Sequence, residues 1–214
     1  MPEPAESAAD FLPSDRDVPH LREAAASCRG CELWEDATQV VFSTGPSAAR
    51  IVLVGEQPGD QEDRQGEPFV GPAGRLLDRA LEEAGIGRDD VYLTNAVKHF
   101  RHRAGGRRRI HQKPDVRHVK ACGPWLDAEL EAVGPAVVVA LGATAGRAVL
   151  GRPVKVGAER GRVLEGPGGR AVVLTTHPSA LLRVEDPDER DAGLAELVAD
   201  LRLAASTASE DRAG

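Results

Sequence analysis

Between Lys98 and Lys120 the chain carries nine Lys or Arg residues and a single acid, Asp115. The whole chain has a net charge of −7, so this stretch is about +8 and the remainder about −15. A basic island on an acidic protein is a local electrostatic device suited to phosphates. Within it lies Gly105-Gly106-Arg107-Arg108-Arg109-Ile110-His111. Two glycines give a hinge, three arginines a grip on phosphate, and the histidine a nucleophile or an acid/base group. The pattern suits chemistry at a nucleic-acid backbone. Its plain alternative is a solvated loop. Lysine is scarce, four against 23 arginines, which favours planar bidentate contacts over point charges.

Cys28-Arg29-Gly30-Cys31 closes a short helical stretch, and Cys122 stands alone about ninety residues later. Three cysteines make an odd set, so a metal reading needs a fourth donor. Two buried thiols are the alternative. Three other polar segments follow apolar runs: Gly55-Glu56-Gln57-Pro58-Gly59-Asp60, the stretch around Asn95, and His177-Pro178-Ser179.

The elements that must position these residues are legible from periodicity. Residues 50–54, 91–97, 136–141 and 171–176 are apolar runs rich in β-branched residues, and each reads as a strand. Residues 72–84 have helical spacing, with Leu76, Leu77, Ala80, Leu81 and Ala84 on one face and Gly85 as the stop. Residues 115–132, 143–150 and 191–205 read as further helices. Residues 152–170 are Gly-rich and read as a loop or a short hairpin. Buried strands alternating with helices predict an α/β fold: a three-layer αβα sandwich around a mainly parallel four-stranded sheet. One domain is expected over 18–205, with a flexible leader over 1–17 and a flexible tail over 206–214. Ligands of such sheets bind outside the carboxyl ends of the strands, where the three polar segments fall. No run is long enough to cross a membrane, and the acidic start lacks the pattern of a signal peptide. A cytoplasmic monomer without membrane contact is expected.

Taken together the motifs resemble the uracil-DNA glycosylase superfamily. GEQPGDQED (55–63) is similar to its first motif. GEPFVGPAGRLLDRAL (66–81) is similar to its base-stacking segment and following helix. TNAVK (94–98) is similar to its uracil-reading strand end, and HPS (177–179) to its last motif. The four stand in family order across residues 20–205. The iron–sulfur branch, family 4, and within it the UdgX type, is nearest, because GEQPG and an inserted loop ending Arg-Arg-Ile-His are both present. That type bonds covalently to the site it has deglycosylated.

The resemblance implies uracil-containing DNA as partner, free uracil as product, and roles for particular residues. Phe69 would stack on the extruded base. Asn95 would offer donor and acceptor to its Watson–Crick edge, beside Gln57 and Asp60. His177 would donate to the carbonyl where negative charge develops. Glu56 would stabilise the cationic sugar or orient His111. His111 would attack C1′, with Glu56 able to fix its tautomer. Hydrolytic relatives carry a water-activating acid where Gln57 stands, and an amide is a poor base. Arg107, Arg108, Arg109, Lys113 and Ser179 would contact DNA. The branch holds a 4Fe-4S cluster on four cysteines. Here His99 falls where one of them stands, giving Cys28, Cys31, His99 and Cys122, with His118 and His102 as alternatives to His99 and zinc as the alternative metal. A turnover glycosylase without capture and a non-catalytic iron–sulfur DNA-binding protein are the competing readings.

Overall fold

The computed structural model describes residues 7–105 and 108–210. Gly106 and Arg107 of the basic hinge lie outside the described residues. Among the described residues the strands are β1 (Ser43–Thr44), β2 (Ile51–Gly55), β3 (Val91–Asn95), β4 (His102–Gly105), β5 (Arg108–His111), β6 (Val137–Leu141), β7 (Val163–Glu165) and β8 (Ala171–Thr175). The helices are α1 (Val18–Ala25), α2 (Leu33–Asp36), α3 (Asp60–Gln65), α4 (Pro72–Ala84), α5 (Val116–Val133), α6 (Gly142–Leu150), α7 (Val156–Glu159), α8 (Pro178–Leu181) and α9 (Pro187–Glu210).

Six strands form one sheet in the order β1-β3-β2-β6-β8-β7. Its centre is the expected parallel quartet, with Leu53 level with Leu93 and Val139, and Val139 level with Val173. The sheet is wider than the four strands expected, because β1 and β7 add a short antiparallel edge on each side. Both edges are two or three residues long and lack the apolar run that marks the centre. The Gly-rich stretch supplies α7 as well as β7.

Alternate residues of each central strand face opposite layers. Leu53, Leu93, Val139 and Val173 pack with Leu77 and Leu81 of α4 and Leu197 and Leu201 of α9. Val52, Tyr92, Val138 and Val172 pack with Leu126 and Leu130 of α5 and Val149 of α6. Each such leucine or valine contributes about 1.5–3 kcal/mol relative to exposure. Helix α4 starts at Pro72 and stops at Gly85, whose φ of 75° lets its N–H close back on Glu82 and Leu81.

The described parts of the expected leader and tail, 7–17 and 206–210, carry ordered structure, and the rest of both lies outside the described residues. Residues 8–11 form a 3-10 turn capped by the Ser7 hydroxyl, and Ala8 is 1% exposed beside Leu21, Cys28 and Trp125. The segment runs over the cysteine turn, where a Cβ on Gly30 would fall 2.6 Å from the Ala8 nitrogen. At the other end α9 continues to Glu210, and Ala208 is buried against the core. Short segments without a repeating apolar period hide both packings: Ala8, Phe11 and Leu12 make one, and Ala208, whose carbonyl also accepts from Arg50, the other.

The turn between α3 and α4 aims Phe69, whose φ of 58° is rare for a residue with a side chain. Gly74, one turn into α4, leaves space for it: a Cβ there would sit 1.8 Å from the Phe69 carbonyl oxygen. Gly74→Ala is therefore expected to destabilise the fold by about 1–3 kcal/mol through overpacking, although alanine favours helix. Thermal unfolding checks this; an unchanged or raised midpoint would show that the turn relaxes freely.

Candidate active site

At the carboxyl end of the sheet two cavities of about 610 and 650 Å³ share a wall. Gln57, His111, His177, Ser179 and Arg183 line both. The first cavity is completed by Asp60, Phe69 and Asn95, the second by Glu56, Lys113 and Thr144. The three polar segments thus meet as the sheet topology requires.

In the first cavity the Phe69 ring lies along the His177 ring, centroids 6.3 Å apart and planes at 27°. Asn95, 2% exposed, ends β3, and its side-chain amide makes no hydrogen bond to the described residues. An amide so placed keeps its donors and acceptor for a ligand. His177 caps α8: its Nδ1 accepts from the Ser179 N–H at 3.1 Å and pairs with the Ser179 hydroxyl at 2.9 Å. Because a backbone N–H can only donate, Nδ1 carries the lone pair and Nε2 the proton. Burial, with help from His111 and Arg183, pushes the His177 pKa down to about 4. It is a neutral Nε2–H donor at physiological pH.

His111 ends β5, half exposed in the shared wall. The Gln57 amide nitrogen lies 2.9 Å from its Nε2. The orientation of Gln57 is fixed, because its oxygen accepts from the Arg101 N–H and its nitrogen faces the Gln112 and Arg101 carbonyls. Gln57 therefore donates to Nε2, which leaves the lone pair of His111 on that nitrogen. The Glu56 carboxylate lies 3.8 Å from the same Nε2 and is held by the Thr144 hydroxyl. Glu56 thus faces the unprotonated nitrogen, and Gln57 sets the tautomer expected of Glu56. Burial lowers the His111 pKa, with Glu56 opposing.

Three residues expected at uracil or DNA are engaged by protein groups. The Gln57 side chain bonds the hairpin backbone and His111 while lining both cavities. Asp60 is bridged to Arg64 and Arg109. Arg109 binds Asp60, Asp63 at 2.6 Å and the Thr38 hydroxyl at 3.0 Å, over the Phe100 ring. Asp63 is fully buried and also accepts from the Thr38 N–H. Arg109 is the staple that fixes the β4–β5 hairpin, and with it His111.

The island is also less cationic than its composition. Lys98 is buried against Glu129, Arg101 pairs with Asp115, and Arg117 with Glu32 and Asp115. Arg103, Arg108, Lys113 and Lys120 form no ion pair among the described residues, and Arg107 lies outside them. Thr144 and Arg183 were not anticipated from sequence. Thr144 follows the end of β6 and could have been found by the same strand-end rule; Arg183 carries no local signal.

Cys28, Cys31 and Cys122 face one another closely enough to interact electrostatically. The Trp125 indole N–H donates to Cys28 Sγ at 3.2 Å, and the Lys98 N–H to Cys122 Sγ at 3.3 Å. Burial pushes the Cys122 thiol up to about 12. His99 is 7% exposed, held neutral by burial with a pKa of about 4, and makes no hydrogen bond to the described residues. His118 is excluded as a donor, since its nitrogens serve the Asp115 N–H and Glu32. His102 faces the Asp36 carbonyl. Among the described residues no three His, Cys, Asp or Glu side chains converge on a single-ion site.

A profile of the uracil DNA glycosylase superfamily matches residues 42–202. The chain belongs to this superfamily. It is 43% identical over 164 residues to a type-4 uracil-DNA glycosylase of Thermotoga maritima, covering 76% of this chain and 82% of that one. A type-4 uracil-DNA glycosylase of Pyrobaculum aerophilum is 33% identical over 174 residues, 78% of this chain and 85% of its own. A type-5 uracil-DNA glycosylase of the same organism is 32% identical over 177 residues, 75% and 74% of the two chains.

Arg109→Ala leaves the buried Asp63 carboxylate without its cation and should cost about 3 kcal/mol. Arg108→Ala, at an exposed position, should stay within about 0.5 kcal/mol. Urea unfolding of both variants checks this; equal midpoints would remove the staple.

Proposed function

We propose that this protein excises uracil from DNA and is then captured on the abasic sugar through His111. The observation that carries the reading is the place of His111. It stands in the wall common to the cavity of Phe69 and Asn95 and its neighbour, with an unprotonated Nε2 beside a carboxylate.

An extruded uracil enters between Phe69 and Asn95. The Asn95 amide offers a donor and an acceptor to its Watson–Crick edge, and the His177 Nε2–H donates to the carbonyl where charge builds. The C1′–N1 bond breaks and its electron pair leaves with the uracil anion. The cationic sugar meets Glu56. The His111 Nε2 lone pair, freed from the Gln57 amide, then bonds to C1′. The resulting imidazolium loses its Nδ1 proton to solvent, and the uracil anion takes up a proton. With Gln57 spent on the hairpin, no base stands in its place to activate water, which favours capture over turnover. Arg108, Lys113 and Ser179 are the proposed phosphate contacts.

The cysteine site fits a thiolate-held cluster. The donor set is sulfur, two of the sulfurs accept N–H hydrogen bonds of the kind that tune clusters, and a cluster spreads its ligands wider than one zinc ion does. Cys28, Cys31 and Cys122 would hold a 4Fe-4S cluster with His99 as fourth ligand. Its role would be structural, tying α5 to the segment after α1.

Denaturing electrophoresis and mass spectrometry after incubation with a uracil oligonucleotide test the central claim. The protein should shift by the mass of the deglycosylated strand. His111→Ser should lose this adduct yet release uracil over several turnovers, water taking the place of imidazole. An adduct surviving in His111→Ser would move the nucleophile elsewhere. The nucleophile is the neutral imidazole, and its pKa is lowered. Adduct yield should therefore be flat above about pH 6.5 and fall only as pH drops through the lowered value. A yield that rises on acidification would contradict this.

Purified without reductant or chelator, the protein should be brown. Cys122→Ala should lose colour and soluble yield together. A colourless protein with stoichiometric zinc would overturn the cluster.

A further inference from the structure

A charged network lies beneath the base-reading strand end, and no step above uses it. Lys98 is 1% exposed and Glu129 fully buried. The Lys98 ammonium donates to Glu129, to the Thr94 hydroxyl at 2.6 Å and to the Asn95 carbonyl at 3.0 Å. Glu129 also accepts from the Tyr92 hydroxyl at 2.8 Å and lies 2.9 Å from the Thr94 hydroxyl. The Lys98 backbone is pinned too, its N–H to Cys122 Sγ and its carbonyl to the Val41 N–H.

The Asn95 carbonyl needs such a donor. Strand β1 stops at Ser43, which stands opposite Thr94, one residue short of Asn95. On the other side the next two N–H groups, of Ala96 and Val97, go to the Gly55 and Glu56 carbonyls. The peptide joining Asn95 to Ala96 is therefore held from two sides: its N–H by the Gly55 carbonyl and its C=O, where the β1 ladder has run out, by the Lys98 side chain. That peptide sets the direction of the Asn95 Cα–Cβ bond, hence where its amide stands in the cavity.

We propose that Lys98, held by Glu129, is a positioning residue for the Asn95 amide. It replaces the missing strand partner of the base-reading residue and ties it to the cysteine site. This rests on Asn95 reading the base, as proposed above. A buried ion pair is a poor source of stability, since a neutral pair of the same shape often does as well. Retaining charge here is consistent with placement of a neighbouring group.

Lys98→Met, Glu129→Gln and the double variant test this in the full chain. Each single variant leaves a charge or a polar group uncompensated and should lower the melting temperature. The double variant removes both charges, keeps an acceptor for Tyr92, and should recover most of that loss. Its uracil release at saturating DNA should still be about tenfold to a hundredfold slower, one charge-assisted hydrogen bond having been lost, with DNA affinity unchanged. The side-chain amide resonance of Asn95, assigned by its loss in Asn95→Ala, should move or broaden in the double variant. Recovery of both melting temperature and release rate, with that resonance unmoved, would overturn the proposal. If the parent releases no uracil, the functional reading fails and the Asn95 resonance alone decides the positioning role. If the double variant does not fold, Glu129→Asp decides. It keeps both charges but draws Lys98 away from Asn95, and should slow release and shift the resonance with a small stability loss.

Discussion

A guanidinium enclosed by two carboxylates decides where His111, the proposed nucleophile, stands. Arg109 binds Asp60 and the buried Asp63, both on α3, directly after the GEQPG segment. The β4–β5 hairpin has four residues in each described strand and an exposed outer face, too little to hold a fixed position alone. Its anchorage is ionic, and Gln57 adds hydrogen bonds to the Arg101 and Gln112 backbone. Only with both in place does His111 meet Glu56 and the wall shared by the two cavities.

This changes the meaning of the basic island. Such a run reads as a surface field, yet Lys98, Arg101, Arg109 and Arg117 neutralise nearby acids. They hold structure, and the phosphate-seeking charge narrows to a few exposed residues. Strong electrostatics within the fold and modest electrostatics outside it come from one stretch of sequence.

The same economy joins the cysteine site to the cavity of Phe69 and Asn95. TNAVKH spans six residues, from the wall of the cavity to a proposed ligand. Lys98 touches both ends, through its ammonium at Asn95 and its N–H at Cys122. Beside it, Phe42 packs edge-on against Trp125, whose indole reaches Cys28. The segment after α1, the end of β3 and α5 are thus packed as one body.

Much of the fold was legible without coordinates, because its determinants are local or periodic. Four apolar runs define the parallel centre, Pro72 and Gly85 bound α4, and the strand-end rule gathers Glu56, Asn95 and His177. The short edges β1 and β7 were not legible, since two or three residues carry no period. Nor were the packed ends of the described chain, where a few residues without a period make the contact. The site divides along the same line. Motif resemblance nominates His111, Asn95, Phe69 and His177, and their intrinsic chemistry suits the roles it implies. Whether Arg109 grips phosphate or Asp63, whether Gln57 reads a base or clamps a hairpin, and which nitrogen of His111 holds the lone pair depend on partners roughly 45 to 55 residues away. Charge and hydrogen bonding act through space, so tertiary structure alone decides which partner is within reach.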